Sequence, residues 1–173
     1  MKQIKQTKQT KQTKQTGKKK RVLLNHVKTS FPAKSINESM SRIIISSITC
    51  QLDPTIDELA DIKTAVSEAV TNCIVHGYGN NSAEMLKSSG EIYLSAYYYD
   101  DNAVKIIIKD KGRGIENIKQ AMEPLYTTDN SGERSGMGFS IMQSFTDKIK
   151  VISKPGKGTT VIFEKKISKV GCV

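Results

Sequence analysis

The stretch EAVTNCIVHGY, residues 68–78, ends a helical pattern and carries two polar side chains, Glu68 and Asn72, one turn apart. Successive helical residues rotate by about 100°, so these two side chains lie about 40° apart. They border an apolar stripe formed by Ile62, Ala65, Val66, Ala69 and Cys73. The pattern alone leaves two interpretations open: a binding pair beside the core, or an exposed acid next to an amide that satisfies local backbone groups.

The periodicity of the surrounding sequence predicts one α+β domain over residues 22–168. Strand-like runs, of which the last two are typical of hairpins, occur at 21–31, 91–110 and 148–167. Helical spacing occurs at 35–52, 53–77 and 136–148. Thr55 with Glu58, and Ser35 with Glu38, match the capping-box pattern. We therefore expect a two-layer sandwich in which a mixed, mostly antiparallel sheet carries helices on one face.

The net charge of +10 is concentrated in residues 1–21, which hold nine basic side chains and no acidic one. The other 152 residues hold 18 basic and 17 acidic side chains. The tail consists of KQT-type triplets followed by GKKKR, and it has too little apolar surface to offset chain entropy. We predict that residues 1–21 are a disordered, dispensable tail and that 169–173 form a flexible C-terminus. Weak nucleic-acid binding by the tail is the alternative, while the nearly neutral body favours no direct nucleic-acid contact.

The sequence also disfavours several other classes of protein. It contains no stretch resembling a signal peptide and no apolar segment of membrane-spanning length, so we expect a cytoplasmic protein without membrane contact. The cysteines, Cys50, Cys73 and Cys172, have no CxxC spacing, which argues against a disulfide framework or a zinc site. Cys50 and Cys73 lie in apolar helical patterns, where a thiol usually packs rather than reacts.

The motif DKGRG follows an apolar strand and places Asp110 where the chain leaves the sheet. Gly112 and Gly114 make the bend free of side chains, so a ligand could approach its backbone closely. An aspartate at a strand end can accept a hydrogen bond from an exocyclic amine. An ordinary Asx-turn explains the same residues, and the motif by itself is short.

The segment ERSGMGFS places Gly136 and Gly138 directly before a helix. Unhindered N–H groups at a helix N-terminus form an anion site, which phosphate commonly occupies. Further along, GKGTT adds Thr159 and Thr160 at the start of a strand. Both threonines can equally be strand residues with good β-propensity.

The order of these motifs, E-x-x-x-N helix, DxGxG strand end, loop, GxG helix and G-T-T strand, resembles the GHKL superfamily of ATPases and kinases. The resemblance covers residues 22–166. Within the superfamily, QLDPTIDELADIKTAVSEAVTNCIVHGY, PLYTTD and ERSGMGFSIMQSF are similar to the sporulation anti-sigma factors, which are small serine kinases. The fold implied is the GHKL ATP-binding fold, and nothing is implied for the tail.

The resemblance implies an ATP site at named positions. Asn72 would coordinate a Mg²⁺ ion bridging the ATP phosphates, for which a carboxamide oxygen is a suitable ligand. Asp110 would bind the adenine amino group, Gly112 and Gly114 would allow close approach, and Thr160 would support the base.

The resemblance also assigns the phosphate end of the site. Glu68 would be the catalytic base that accepts the proton of an incoming serine hydroxyl. Gly136 and Gly138 would offer N–H groups to the phosphates at the hinge of a lid over 115–135. Candidate lid contacts to the phosphates or to a protein partner are Thr127, Thr128, Arg134 and Ser135.

The partners implied are a sigma factor, which the protein would bind and inhibit, and an anti-anti-sigma protein, whose serine it would phosphorylate. ATP and ADP states would select between them. The family implies a homodimer, to which an unpaired first strand at 22–31 could contribute. The alternative is a non-catalytic module of the same fold whose nucleotide only gates partner binding.

Overall fold

The computed structural model describes residues 21–79, 90–124 and 136–168. Their strands are β1 (Leu23–Pro32), β2 (Glu91–Tyr99), β3 (Ala103–Lys109), β4 (Lys148–Ser153) and β5 (Thr159–Lys166). Their α-helices are α1 (Ile36–Thr49), α2 (Ile56–Asn72), α3 (Ile118–Ala121) and α4 (Gly138–Phe145). A 3₁₀ turn, Cys50–Leu52, follows α1, and a π-helical turn, Cys73–Gly77, extends α2. The predicted tail is outside these ranges except for Arg21, and so is 169–173.

The strands form one sheet in the order β1-β2-β3-β5-β4, and all four pairings between these described strands are antiparallel. The two predicted hairpins are therefore present, β2 with β3 and β4 with β5. In each hairpin the two strands are neighbours in the sheet. The predicted α+β class is confirmed.

The core lies between one face of the sheet and the helices. On α2 the buried positions are Ile62, Ala65, Val66, Ala69 and Val70. The facing side chains on β2 and β3 alternate along each strand, with Ile92, Leu94, Ala96, Val104, Ile106 and Ile108 buried. Both α1 and α4 pack against α2, so α2 is the central helix of the layer.

The two predicted helix caps have different outcomes. At α2, the Glu58 N–H donates to Thr55 Oγ1 at 3.2 Å and the Thr55 N–H donates to Glu58 Oε2 at 2.9 Å, which is a complete capping box. At α1 the predicted box is wrong, because the Ser35 side chain makes no capping hydrogen bond. The Glu38 carboxylate instead pairs with the guanidinium of Arg42, one turn further along.

A partly buried ion pair fastens α4 to the rest of the helical layer. Lys165 on β5 donates from Nζ to Asp61 Oδ2 on α2 at 2.7 Å and to the Phe145 carbonyl at the end of α4 at 3.1 Å. Its side chain is only 15% exposed, so water screens the pair weakly. None of the helices in the described ranges has the length and apolarity needed to cross a bilayer.

We expect Lys165→Met to lower the free energy of unfolding by about 1–3 kcal/mol, because Asp61 and the Phe145 carbonyl both lose their donor. Urea denaturation followed by circular dichroism measures this. The matched control is Lys148→Met, since Lys148 is 76% exposed and 3.9 Å from its partner Glu164; its effect should stay within about 0.5 kcal/mol. Equal losses in the two variants would contradict the structural role of Lys165.

Candidate functional site

A cavity of about 780 Å³ opens between α2, the end of β3, α3 and the start of α4. Its volume lies in the range of small-molecule sites. Six of the residues predicted from the sequence line it: Glu68, Asn72, Asp110, Gly114, Gly136 and Gly138. The tertiary structure therefore brings the three separate motifs to one place.

Glu68 and Asn72 meet the beginning of α4 at Gly138. A Cβ atom added to Gly138 would lie 2.9 Å from Glu68 Oε2, 3.3 Å from Asn72 Nδ2 and 3.4 Å from Asn72 Oδ1. The missing side chain thus leaves a space in which the polar ends of both residues approach the helix N-terminus. Of the two interpretations from the sequence, the binding pair beside the core fits this placement.

The cavity near Asn72 can be compared with the needs of a magnesium ion that a nucleotide would help to hold. The described residues contain no cluster of three His, Cys, Asp or Glu side chains, so a cation cage made entirely of such groups is absent from that part of the chain. Mg²⁺ in nucleotide sites commonly takes one or two protein oxygens and completes its shell with phosphates and water. The side-chain oxygen of Asn72 could be one such protein ligand.

Asp110 is buried, with 2% of its surface exposed. Its Oδ1 accepts hydrogen bonds from the Gly112 N–H at 2.8 Å and the Thr159 N–H at 3.2 Å. The Asx-turn expected as the alternative is therefore present, and it orients the carboxylate within the cavity wall. The Asx-turn does not exclude ligand binding at Asp110. It fixes the orientation of the carboxylate that a ligand would contact.

The two glycines of the DKGRG motif serve different contacts. Gly114 has φ +74°, and a Cβ there would lie 2.2 Å from the Lys154 carbonyl oxygen. Gly112 is not among the lining residues, and a Cβ on it would lie 2.1 Å from the Gly77 carbonyl oxygen. Gly112 therefore permits the close packing of the bend on the end of α2.

Thr159, rather than the predicted Thr160, lines the cavity. Side chains on a strand alternate between faces, and Val161 and Phe163 are buried on the helical side. Thr159 shares that side, whereas Thr160 points to the opposite face. The alternation of Val161 and Phe163 in the sequence was the signal that could have identified Thr159.

Several lining residues were not predicted. His76, Arg113, Asn117 and Gln120 reach the cavity from the end of α2, the bend and α3. Arg113 lies inside DKGRG and His76 inside EAVTNCIVHGY, but neither pattern assigns these two residues to a site, and Asn117 and Gln120 stand outside the motifs. Conversely, the predicted lid contacts Thr127, Thr128, Arg134 and Ser135 lie outside the described residues.

The histidine kinase-like ATPase domain family matches residues 32–165 of the chain. An anti-sigma F factor from Clostridium beijerinckii is 48% identical over 146 residues, which cover 84% of this chain and 97% of that protein. The chain belongs to the anti-sigma F factor family. Another member, from a Thermoanaerobacter species, is 50% identical over 143 residues, covering 83% of this chain and 94% of the relative.

A solved structure with the same fold as this anti-sigma F factor family member contains the RsbU and RsbW domains of a Mycobacterium tuberculosis protein. It superposes with a TM-score of 0.60 at 18% identity, over 84% of this chain and 33% of that one. At that identity the match supports the fold alone. It agrees with the five-stranded sheet and the helical layer described above.

Cys73 of this family member sits in the cavity wall beside Asp110 and is 4% exposed. Burial raises the pKa of its thiol well above the ordinary value, and the Asp110 carboxylate raises it further by charge repulsion and a hydrogen bond. Cys50, in contrast, is exposed. The packing role expected from the sequence is therefore consistent with the surroundings of Cys73.

We expect Cys73 to resist thiol reagents at pH 8, because the reactive thiolate is scarce when the pKa is raised. In a Cys172→Ser background, Cys50→Ser leaves Cys73 as the remaining thiol, and Cys73→Ser leaves Cys50. Dithionitrobenzoate should react completely with the variant that retains Cys50 before it reacts measurably with the variant that retains Cys73. Denaturant should make the two reaction rates similar. Similar native rates would contradict this assignment.

Proposed function

We propose that this chain is an ATP-dependent protein-serine kinase and anti-sigma factor that acts in the cytoplasm. It binds and inhibits a sporulation sigma factor, and it phosphorylates a serine of the anti-anti-sigma protein that opposes this inhibition. The observation that carries the proposal is the convergence of Glu68, Asn72 and Asp110 on one cavity in a chain of the anti-sigma F factor family. Adenine, metal-bound phosphates and an incoming hydroxyl each have a chemically suitable residue there.

The nucleobase end of the proposed site is at Asp110. Its carboxylate is held by the backbone N–H groups of Gly112 and Thr159, so it can accept a hydrogen bond from the adenine amino group without reorganising. Gly114 lines the adjacent wall, where its lack of a Cβ lets the bend pack against the Lys154 carbonyl. Thr159 takes the supporting place beside the base that the resemblance assigned to Thr160.

The phosphate end is at the start of α4. The N–H groups of the first helical turn have no helical carbonyl partner and point outward with the positive end of the helix dipole. Gly136 and Gly138 leave them accessible to phosphate oxygens. Asn72 would hold Mg²⁺ by its side-chain oxygen, and the bound metal would neutralise charge on the phosphates.

Glu68 is the proposed general base. It lies beside Asn72 and Gly138, where a serine hydroxyl would approach the terminal phosphate. The carboxylate accepts the hydroxyl proton while the serine oxygen bonds to the γ-phosphorus and the bond to the leaving ADP breaks. Whether a serine hydroxyl or a water molecule is positioned next to Glu68 decides whether the reaction is that of a kinase or that of an ATPase.

A homodimer is supported by apolar groups on the outer surface. Ile36 is 80% exposed and Ile43 is 67% exposed on α1, with Met40 between them. Leu23 and Leu24 are also exposed on β1, which pairs with β2 and is an edge strand among the strands that the structure describes. Such a surface suits a second copy, and ATP or ADP in each copy would select between the sigma factor and its antagonist.

A non-catalytic nucleotide-gated module remains the second candidate, and Glu68 separates the two. Glu68→Gln should retain ATP affinity but slow phosphoryl transfer by about 10²-fold or more, because the general base is lost. Labelled ATP, Mg²⁺ and an anti-anti-sigma protein give the rate, and calorimetry gives the affinity. Asp57→Asn, at the distant end of the same helix, is the matched control. Wild-type transfer by Glu68→Gln would favour the non-catalytic module or another base.

Asp110→Asn should weaken ATP binding by about 1–3 kcal/mol, because an amide cannot satisfy both the backbone donors and the adenine amino group as a carboxylate does. Isothermal calorimetry with ATP and Mg²⁺ measures the change. Asp53→Asn, at an exposed turn with φ +53° that asparagine tolerates, is the control. ATP affinity equal to wild type in Asp110→Asn would remove Asp110 from the binding site.

A further inference from the structure

The DKGRG bend is fastened to the C-terminal end of α2 by Tyr78. The Lys111 N–H donates to the Tyr78 hydroxyl at 2.9 Å, and that hydroxyl donates to the Glu91 carbonyl at 2.7 Å. One hydroxyl therefore joins the bend to the start of β2. Donor and acceptor roles reinforce each other in such a chain of hydrogen bonds.

The π-helical turn before Tyr78 supplies the other attachments. Its wider winding presents two carbonyl groups to the bend: the Gly77 oxygen accepts from the Arg113 N–H at 2.9 Å, and the His76 oxygen accepts from Arg113 Nε. Gly112 lies against the same Gly77 carbonyl with no room for a Cβ. Single π-helical turns of this kind often occur at functional sites.

These contacts link the two ends of the nucleotide cavity through one helix. Glu68 and Asn72 lie on α2 just before the π-helical turn, and Asp110 begins the bend that the turn holds. The separation between Asp110 and the Glu68–Asn72 pair therefore depends on how the end of α2 grips residues 111–113. A shift of the bend would move Asp110 relative to the phosphate end.

We propose that Tyr78 is a positioning residue for nucleobase recognition: its hydroxyl holds Lys111 and so fixes the carboxylate of Asp110 at the distance from Glu68 and Asn72 that an adenine nucleotide requires. Arg113 has the same positioning role, through its hydrogen bond to the His76 carbonyl. The inference rests on the proposed function. It assigns to Tyr78 no contact with the nucleotide and no part in phosphoryl transfer.

The ring and the hydroxyl of Tyr78 have separable roles. The ring fills the space over Gly90, where an added Cβ would lie 2.1 Å from the ring. The hydroxyl makes the two hydrogen bonds. Tyr78→Phe therefore preserves the packing that the fold needs and releases the Lys111 N–H, which makes it a selective probe.

The test uses the full chain with Tyr78→Phe, ATP or GTP, Mg²⁺ and an anti-anti-sigma protein. Loss of the hydrogen bond from the Lys111 N–H predicts a rise of about fivefold in the Kd and KM for ATP. The kcat should stay within about twofold, since a positioning effect on the base leaves Glu68 in place. The preference for ATP over GTP should fall by a similar factor of about five, because GTP does not offer the amino group that Asp110 selects. A purely structural role would not change that preference.

Tyr98→Phe is the matched control, because its hydroxyl also donates an exposed hydrogen bond, to Gln51 Oε1 at 2.9 Å, but lies at the end of β2 that is away from the bend. It should leave Kd, kcat and the ATP-over-GTP preference unchanged. Arg113→Gln should reproduce the loss of preference. Wild-type ATP affinity and preference in Tyr78→Phe would overturn the inference, whatever happens to the melting temperature. Absence of ATP binding by the unsubstituted chain would overturn the proposed function, and this inference with it.

Discussion

The close contact between Gly112 and the carbonyl of Gly77 is the constraint on which the cavity depends. With a Cβ only 2.1 Å from that oxygen, no other residue could let the bend after β3 lie so near the end of α2. The contact sets Asp110 next to Cys73 and allows Arg113 to bond the π-helical turn. Without it, the strand that carries Asp110 and the helix that carries Glu68 and Asn72 would separate, and their polar groups would no longer share one space.

The central helix combines two environments along its length. Its inner side is fully buried against the sheet, as Ile62, Ala65 and Val66 show with no exposed surface. This burial removes apolar area from water and provides the main favourable free energy of the layer. The edge with Glu68 and Asn72 faces the cavity, so these polar side chains avoid the desolvation cost that the core would impose. Burial of the inner side of α2 thereby fixes the positions of Glu68 and Asn72 at the cavity.

Local patterns predicted the elements well because their physical causes are local. Helical spacing from Ile62 to Cys73 indicated α2, the Thr55–Glu58 box indicated its start, and the two strand pairs indicated the hairpins. Prediction was wrong at Ser35, because Ser35 has helical backbone angles and the Glu38 N–H donates to its carbonyl oxygen rather than to its hydroxyl. Thr160 was chosen over Thr159 because the motif gives residue types but not strand faces. His76 and Arg113 lie within quoted motifs but were not assigned to the site, since their places depend on contacts between distant segments.

The sequence by itself determined the periodicities, the chain order of the motifs and the uneven distribution of charge, because each depends on side-chain type and near neighbours. It also carried enough family resemblance to indicate nucleotide chemistry. Only the tertiary structure decided that Asp110 is buried with its carboxylate held by Gly112 and Thr159, and that Glu68 and Asn72 meet Gly138. These are long-range contacts, and their distances follow from how the sheet, α2 and α4 pack, which no single segment encodes.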